Sequence, residues 1–303
     1  MLAAMVFPAP PAPTFAPDQT TKIERFPRYE DCTQDGRLTT LALPPALATL
    51  WQTAIARHAG ARNARAAGMI SLLTRLTLTS LDQPIHVHRQ VESTVGFELA
   101  HERDAEGQVS RLFMNQWADV RGIPGRTGTR SVSREPVLAG RVFAEHTFTR
   151  PFAPPGQRRV TSFAGIEGYP EVPAARYTPP APSTAADAPA GATWLDELAG
   201  DSVETRFTLD QTDANQHINS LVYIRYFLDA VQRRLASGSH PATLRSKEVD
   251  IAYRKPCFVG DRLRAYVRMF AHGDHFGGAG FLAAPGEAEA ARPRCYVRVL
   301  FGP

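Results

Sequence analysis

Lysine is scarce in this sequence, and the arrangement of its basic residues excludes one class of partner. Only Lys22, Lys247 and Lys255 are lysines among 34 basic residues, and with 30 acidic residues the formal net charge is +4. We attribute the arginine bias mainly to genomic base composition, and less to a surface that attracts an anionic partner. No basic stretch is interleaved with aromatic residues, which argues against nucleic acid as a partner.

Cysteine and long apolar runs are scarce as well. Cys32, Cys257 and Cys295 are odd in number and far apart, which argues against a disulfide framework or a zinc site and favours a reducing, cytoplasmic location. No window approaches the roughly 18 uninterrupted apolar residues of a membrane span. The first 20 residues hold five prolines and lack the basic start of a secretory signal, so we expect residues 1–21 to be a flexible tail.

Residues 22–122 are predicted to form a first unit of one helix and several strands. After Pro44-Pro45, apolar residues recur at the spacing of one helical face, and Gly60 supplies a stop. The positions on that face are Leu47, Leu50, Trp51, Ala54, Ile55 and His58. Alternating apolar patterns and turn residues predict strands over 70–78, 85–91, 95–99 and 109–120.

Residues 196–303 repeat that order, so each unit is one helix followed by antiparallel strands. A strand is predicted over 204–209 and a helix over 221–235, ending near Gly238. Further strands are predicted over 248–254, 262–270, 280–283 and 296–301. The segment 123–195 is predicted to be a linker, with its Pro- and Ala-rich second part exposed to solvent. The fold class is therefore α+β, with an internal repeat of about 100 residues.

The most informative polar residues lie immediately before the second helix. Asp213, Asn215, His217 and Asn219 occupy alternate positions, so in an extended segment they project to one side. The free N–H groups at the start of the helix favour negative charge in the same region. Asn219 or Ser220 is expected to cap the helix, but capping does not require three different functional groups in alternation. The pattern indicates a site that attacks an activated carbonyl.

Two further segments extend this pattern into a family resemblance. Together with Tyr223-Ile224 and Tyr253-Arg254-Lys255-Pro256-Cys257, the loop resembles the second half of plant-type acyl-ACP thioesterases. More broadly, it is similar to hotdog-fold thioesterases such as the 4-hydroxybenzoyl-CoA enzymes. A hotdog fold wraps an antiparallel sheet around one long central helix. The resemblance therefore implies a double hotdog of two tandem units, in which the first shapes the acyl pocket and the second is catalytic.

The same resemblance implies an acyl-thioester hydrolase that releases a carboxylic acid from acyl carrier protein or coenzyme A. It assigns Asp213 as nucleophile or general base, Asn215 to orienting the acyl carbonyl or the water, and His217 to polarisation or proton transfer. Asn219 and Ser220 would support the oxyanion or cap the helix. No metal or redox cofactor is implied. A homodimer stays open, because two units in one chain already supply the pair that single-unit relatives form as dimers.

One position departs from the family pattern. The plant enzymes have a glutamate before the cysteine of this segment, and here that position is Pro256, which has no acid–base group. Glu248 and Asp250 lie upstream but do not align with it. Cys257 could pair with a histidine, although a lone cysteine at a strand end is more commonly a packing residue. The counterpart loop of the first unit, 31–37, has carboxylates but no histidine, and we expect it to be non-catalytic.

Two alternative functions fit the same sequence. A hotdog hydro-lyase acting on a 3-hydroxyacyl thioester would also use a histidine and a carboxylate, and it would yield an enoyl thioester rather than a free thiol. A non-catalytic protein that binds acyl chains or lipids would agree with the proline at 256 and would release no thiol. Because the fold does not separate these functions, the assignment depends on the site.

Overall fold

The computed structural model describes residues 5–128, 135–238, 241, 243–286 and 292–303. The strands are β1 (Thr20–Arg25), β2 (Ile70–Ser80), β3 (Val91–Arg103), β4 (Val109–Gly122), β5 (Val137–Thr149), β6 (Ala175–Arg176), β7 (Thr193–Trp194), β8 (Ala199–Arg206), β9 (Arg245–Tyr253), β10 (Arg262–His272), β11 (His275–Ala283) and β12 (Cys295–Gly302). The helices are α1 (Pro45–Leu50), a π-helical turn (Trp51–Ile55), α2 (Ala59–Ala66) and α3 (Ser220–Ser237). Short 3-10 helices lie at Pro17–Gln19, Tyr29–Asp31, Thr40–Ala42, Pro155–Gln157, Pro182–Ala186 and Leu209–Gln211. None of the helices in this described part is both long and apolar enough to cross a membrane.

The strands form one sheet that contains two five-stranded groups of the same order. The N-terminal group runs β1-β3-β4-β5-β2, and the C-terminal group runs β8-β10-β11-β12-β9. β2 and β9 pair antiparallel at the centre, with Leu76 opposite Ile251 and Leu78 opposite Val249. In each group the chain passes through one strand, then helix, then four strands. The result is a large antiparallel sheet whose inner face is covered by few helices.

The helix α3 covers the inner face of the C-terminal group. Its residues Ile224, Phe227 and Val231 are fully buried against the sheet. The contact at β11 is close, because a Cβ atom on Gly278 would overlap the side chain of Val231. The predicted helix over 221–235 and the four predicted strands that follow it are confirmed, because each lies largely within α3 or β9 to β12. The strand predicted over 204–209 is displaced, since β8 ends at residue 206.

The helix over the N-terminal group is interrupted, which contradicts the single helix predicted to end at Gly60. α1 ends at Leu50, and the following π-helical turn is closed by the Ala56 N–H, which donates to the Trp51 carbonyl at 3.0 Å. The chain is then extended at His58 before α2 begins. Gly60 lies inside α2, where a Cβ atom would overlap the ring of Tyr169. This glycine serves close packing rather than helix termination, so the predicted stop is wrong.

Strand β5 lies inside the segment predicted to be a linker, 123–195. It pairs with β4 and β2 and thereby completes the N-terminal group. Its buried positions include Gly140 and His146, which weaken the apolar alternation that would mark a strand. The predicted boundary at 122 is therefore wrong. The strand predicted over 85–91 is also wrong, because residues 86–90 form a turn and β3 begins at residue 91, with 95–99 as only part of it.

Residues 5–15 lie along the outer face of the sheet, opposite the helices, instead of forming part of the flexible tail predicted for 1–21. Phe7 is fully buried, and the backbone N–H groups of Phe7 and of the residue before it donate to Glu248 at 2.7 and 2.9 Å. Farther along, the indole N–H of Trp117 donates to the Pro10 carbonyl at 2.9 Å. Residues 1–4 of the predicted tail lie outside the described part of the chain. Composition alone misses these contacts because their partners are distant in sequence.

The Pro- and Ala-rich stretch predicted to be solvated contains an ordered strap, residues 173–187, across the same outer face. The Tyr177 hydroxyl donates to Glu145 at 2.7 Å. Beneath the strap, Arg75 forms a bidentate ion pair with Asp250 at 2.8 and 2.6 Å. Because these buried charges pair with one another and with strap residues, the strap is held to the sheet, and the solvated linker predicted there is wrong.

Candidate active site

Residues 213–217 form a compact turn that leads into α3. The Asp213 N–H donates to the His217 carbonyl at 2.9 Å, and the Gln216 N–H donates to the Asp213 carbonyl at 3.0 Å. Gln216 has a φ of 65°, the one positive value at a non-glycine residue in the described ranges. A three-residue hairpin loop whose last residue is left-handed is a common connection, and glycine usually occupies that place. The extended segment predicted from the alternating spacing is therefore wrong.

The closed turn brings together the three predicted site residues Asp213, Asn215 and His217. The Asp213 Oδ1 accepts the Asn215 backbone N–H at 2.8 Å, which fixes the carboxylate on the turn. Asn215 is exposed, whereas Asp213 and His217 are half-buried. The His217 ring packs edge-on against Phe258, with ring centroids 5.5 Å apart. Within the described part of the chain no group hydrogen-bonds the Asn215 amide or the His217 imidazole, so the polar atoms of both can hydrogen-bond a substrate.

Asn219, rather than Ser220, caps the start of α3. The Asn219 side-chain oxygen accepts the Leu221 N–H at 2.9 Å, and the Asn219 N–H donates to the Gln211 carbonyl at 2.8 Å. Ser220 is the first helical residue, and its carbonyl accepts the Tyr253 hydroxyl at 3.0 Å. These bonds fasten the turn to the helix start, whose dipole favours negative charge beside the turn.

Cys257 packs under the turn as a buried thiol. Its carbonyl accepts the Ile218 N–H at 2.9 Å, and its own N–H donates to the Tyr223 hydroxyl oxygen at 2.7 Å. Burial raises the pKa of the Cys257 thiol, with the Tyr223 hydroxyl as an opposing influence. A buried, protonated thiol is a poor nucleophile, so this geometry favours packing over a Cys–His catalytic pair.

Neither carboxylate upstream of Pro256 replaces the glutamate of the plant enzymes. Glu248 binds the N-terminal segment, and fully buried Asp250 accepts from Arg298 at 2.9 Å as well as from Arg75. Both lie on the outer face of β9, because the intervening residue 249 belongs to the core under the helices. Asp213 is therefore the candidate acid–base carboxylate of this site.

A cluster of arginines lies next to the segment that follows β9. Partial burial lowers the pKa of Arg254, and the nearby positive charges of Arg292 and Arg111 lower it further. The backbone N–H groups of Arg254 and Lys255 both donate to the Arg294 carbonyl, at 2.8 and 3.1 Å. An excess of positive charge of this kind attracts anionic groups.

The first half contains the same turn at residues 33–37. The Thr33 N–H donates to the Arg37 carbonyl at 2.8 Å, and the Gly36 N–H donates to the Thr33 carbonyl at 2.9 Å. Gly36 has a φ of 86°, so a glycine takes the left-handed place that a glutamine takes in the second turn. The backbone of the two turns is thus the same, down to the hydrogen bonds that close them.

The side chains of the first turn neutralise one another. Thr33 and Arg37 both hydrogen-bond the Asp35 carboxylate. Partial burial raises the pKa of Asp35, but the bonds from Thr33 and Arg37 outweigh it and lower the pKa overall. Because this turn starts with Thr33 where the second starts with Asp213, the predicted alignment of Asp31 with Asp213 is wrong by two residues.

Gln216 and Phe258 also contribute to the site, although neither was predicted from the sequence. The left-handed conformation of Gln216 has no sequence signal, because glutamine does not favour it. Phe258 comes from the loop after β9, and only the tertiary fold brings its ring to His217. A glycine at the matching place of the first turn, Gly36, was the available hint for the first of these.

Neither a family model nor a curated protein sequence matches this chain. Solved structures, in contrast, resemble it over nearly its whole length. An acyl-ACP thioesterase from Bacteroides thetaiotaomicron has a TM-score of 0.61 at 15% identity, covering 93% of this chain and 98% of that chain. A 12:0-ACP thioesterase from Umbellularia californica has a TM-score of 0.57 at 13% identity, covering 94% of this chain and 97% of that chain. The chain therefore has the hotdog-type fold of the acyl-ACP thioesterases.

Proposed function

We propose that this chain is a double-hotdog acyl-thioester hydrolase that releases a carboxylic acid from acyl carrier protein or coenzyme A. The observation that carries the proposal is the polar turn 213–217 at the capped start of α3, in a fold shared with two acyl-ACP thioesterases. The first hotdog unit comprises β1 to β5 with the interrupted helix, and the second comprises β8 to β12 with α3. The second unit is catalytic, because its turn alone of the two combines a carboxylate, an amide and an imidazole.

The polar side chains of the turn take three complementary roles. Asp213, held by the Asn215 backbone N–H, acts as the general base or as the nucleophile. Asn215 orients the acyl carbonyl or the attacking water through its exposed amide, and His217 polarises the substrate or returns a proton to the leaving sulfur. The backbone N–H of Ser220 stabilises the oxyanion, because the N–H groups of Asn219 and Leu221 already donate within the protein.

The reaction makes modest chemical demands because a thioester is already activated. In the general-base route, a water oxygen bonds to the carbonyl carbon, loses its proton to Asp213 and expels the thiolate, which regains a proton through His217. In the nucleophilic route, the Asp213 carboxylate displaces the thiolate and water then opens the resulting anhydride. Neither route requires the glutamate that Pro256 replaces.

The arginine cluster beside the site supports a substrate with an anionic carrier. Arg254 and Arg292 lie near each other. Arg254 precedes Cys257 by three residues, and the Cys257 backbone binds the residue after the polar turn. Acyl carrier protein is acidic and coenzyme A carries phosphates, so either would be attracted to this surface. The same attraction does not distinguish the two carriers, and both belong in the test.

A thiol-release assay over acyl chain lengths, on carrier-protein and coenzyme A thioesters, tests the function. We expect Asp213→Asn and His217→Ala each to lower turnover by at least about 100-fold, because acid–base and electrostatic contributions are of that size. Arg37→Ala is the matched control, since it changes the same place in the first turn and should stay within about twofold of wild type. Melting temperatures close to wild type would show that the loss is chemical.

Other outcomes would assign the chain elsewhere. Near wild-type hydrolysis in both variants would remove Asp213 and His217 from the chemistry. Conversion of a 3-hydroxyacyl thioester to an enoyl thioester, with no free thiol, would establish the hydro-lyase instead. Saturable binding of acyl chains with no turnover of any thioester would establish a non-catalytic binding protein.

A further inference from the structure

Two polar side chains lie on the inner face of the N-terminal group, among apolar neighbours. Gln116 on β4 is fully buried, and His146 on β5 is 7% exposed. Met114 lies directly opposite His146 across the two strands, so Gln116 is the diagonal neighbour of His146. Diagonal neighbours are roughly 7–8 Å apart, within reach of long side chains, so one small group between the two side chains can contact both.

Both side chains have a polar atom without a protein partner. Among the described residues, no group hydrogen-bonds the Gln116 Oε1 or the His146 Nδ1. The Gln116 amide nitrogen reaches only the Met114 sulfur, at 3.5 Å. Burial lowers the pKa of His146 to about 4 and outweighs the opposing influence of the Ala144 and Met114 backbone, so the imidazole is neutral near pH 7 and can donate one hydrogen bond. A buried polar atom left unpaired destabilises the fold, which indicates that these atoms serve another purpose.

The interrupted helix lies directly above this pair. The Trp51 ring, at the start of the π-helical turn, meets the His146 ring edge-on with centroids 5.4 Å apart. Beyond it, the His58 ring lies 5.2 Å from that of Tyr169, and the His58 Nδ1 and the Tyr169 hydroxyl also lack protein partners among the described residues. Polar atoms of four residues that lack protein partners, Gln116, His146, His58 and Tyr169, therefore lie near the interrupted helix.

The C-terminal group differs at the same level of the sheet. Its inner face on β11 and β12 carries the apolar residues Leu282, Val297, Val299 and Phe301. There α3 is continuous and approaches so closely that only glycine fits at Gly278. A polar binding point is thus a property of the N-terminal group and not of the repeated scaffold.

The family resemblance assigns the acyl pocket to the first unit, and we propose that Gln116 and His146 there bind a hydroxyl group on the acyl chain. A hydroxyl both donates and accepts, so it can donate to the Gln116 Oε1 while accepting from the His146 Nδ1–H. A ketone only accepts, and a methylene leaves both protein atoms unpaired. The substrate class is therefore a hydroxyacyl thioester, an inference that rests on the proposed hydrolase function.

The test compares thioesters of equal length with and without one hydroxyl, placed at successive carbons. We expect at least about tenfold higher kcat/KM for one hydroxylated position over the unsubstituted chain, because a buried site built for a hydroxyl rejects analogues that lack it. Gln116→Met, which keeps the shape of the side chain, and His146→Phe should each reduce that ratio, and the double variant should bring it close to one.

Asn115→Leu is the matched control, because Asn115 is a buried amide on the same strand but on the outer face. It should keep the wild-type preference, and a change in preference equal to that of Gln116→Met would contradict the proposed binding point. Equal kcat/KM for all hydroxylated and unsubstituted chains would also overturn it, with the hydrolase function intact.

Binding of the free acids separates this inference from the hydrolase proposal. Calorimetry with a hydroxy fatty acid and its unsubstituted counterpart needs no turnover. Tighter binding of the hydroxy acid, lost in the Gln116→Met and His146→Phe double variant, would support the binding point even if no thioester is hydrolysed. Equal binding of both acids by wild type, at every hydroxyl position, would overturn the inference whatever the hydrolysis assay shows.

Discussion

The turns 33–37 and 213–217 have the same backbone conformation but differ in how their polar side chains are paired. In the first, the Asp35 carboxylate is held by Thr33 and Arg37. In the second, the side chains of Asn215 and His217 have no hydrogen-bonding partner within the described part of the chain. A repeated backbone can therefore hold a paired carboxylate in one copy and polar side chains without protein partners in the other.

The helices of the two halves differ in a complementary way. α3 is continuous and packs tightly, which gives the polar turn a rigid support. The N-terminal helix is broken at the π-helical turn and lies over Gln116 and His146, whose polar atoms have no protein partner in the described ranges. We interpret this as a division of labour, with chemistry in the second half and recognition of the acyl chain in the first.

Pro256, which replaces the glutamate of the plant enzymes, has a counterpart in the first half. After β2 the chain turns at Pro84, and the Arg89 N–H donates to the His86 carbonyl at 3.0 Å; after β9 the Asp261 N–H donates to the Phe258 carbonyl at 3.1 Å. Matching these turns places Pro84 where Pro256 lies in the second half. The proline is thus common to both copies, and its presence at 256 does not distinguish the half that we propose to be catalytic.

The largest effect that we predict concerns the polar inner face of the first half. A histidine whose pKa is about 4 when folded and near 6.5 when unfolded takes up its proton on unfolding between those values. The free energy of unfolding should therefore fall as pH falls through this window, by roughly 3 kcal/mol in total. We expect His146→Phe to remove this part of the pH dependence in denaturant titrations from pH 7 to pH 4.

The control for that slope is His272→Phe, at the end of β10, which should keep the slope. An unchanged slope in His146→Phe would mean that His146 is not a buried neutral group, and the contrast between the two inner faces would lose its main support.

The next effect concerns the left-handed residue of the two turns. Gly36→Gln should lower the free energy of unfolding by about 1–2 kcal/mol, because a Cβ atom is strained at a φ of 86° and would also crowd Gly125 and Pro84. Gln216→Gly should raise it by up to about 1 kcal/mol, because the same strain is relieved. Thermal or chemical denaturation measures both, and a loss of stability in Gln216→Gly would contradict the shared geometry of the turns.

The smallest predicted effect is the difference in stability lost when the capping residue of each helix start is replaced. Asn219→Ala should cost about 1 kcal/mol, because the Asn219 side chain caps α3 through the Leu221 N–H. Thr39 holds the matching place in the first half but its side chain makes no capping bond, so Thr39→Ala should cost less than about 0.5 kcal/mol. Equal losses in the two variants, measured by denaturation, would show that capping does not distinguish the two halves.

The second half of the fold was largely predictable from the sequence. The apolar periodicity of α3 and the strands that follow it depends on neighbours within a few residues, and the structure has both. Gly273-Asp274 forms the turn between β10 and β11, and His272 and His275 pair across it. Local patterns were strong there because each element has one buried face.

The first half was predictable only in part. β5 was missed because Gly140 and His146 interrupt its apolar pattern, and the π-helical turn cannot be read from a helical periodicity that continues through it. At the candidate site, the sequence indicated which residues come together but not their arrangement. The spacing of Asp213, Asn215 and His217 predicted an extended segment, whereas the chain forms a turn closed by its own backbone.

The sequence by itself determined α3, the strands around it and the polar residues that precede it, because periodicity and capping act between near neighbours. Only the tertiary structure decided the conformation of the turn, the strap and the position of Gln116 beside His146. These features depend on contacts between remote segments, as when the Phe7 N–H donates to Glu248 across 241 residues of sequence. Local patterns carry no record of such contacts, since their free energy is gained only when the whole sheet has formed.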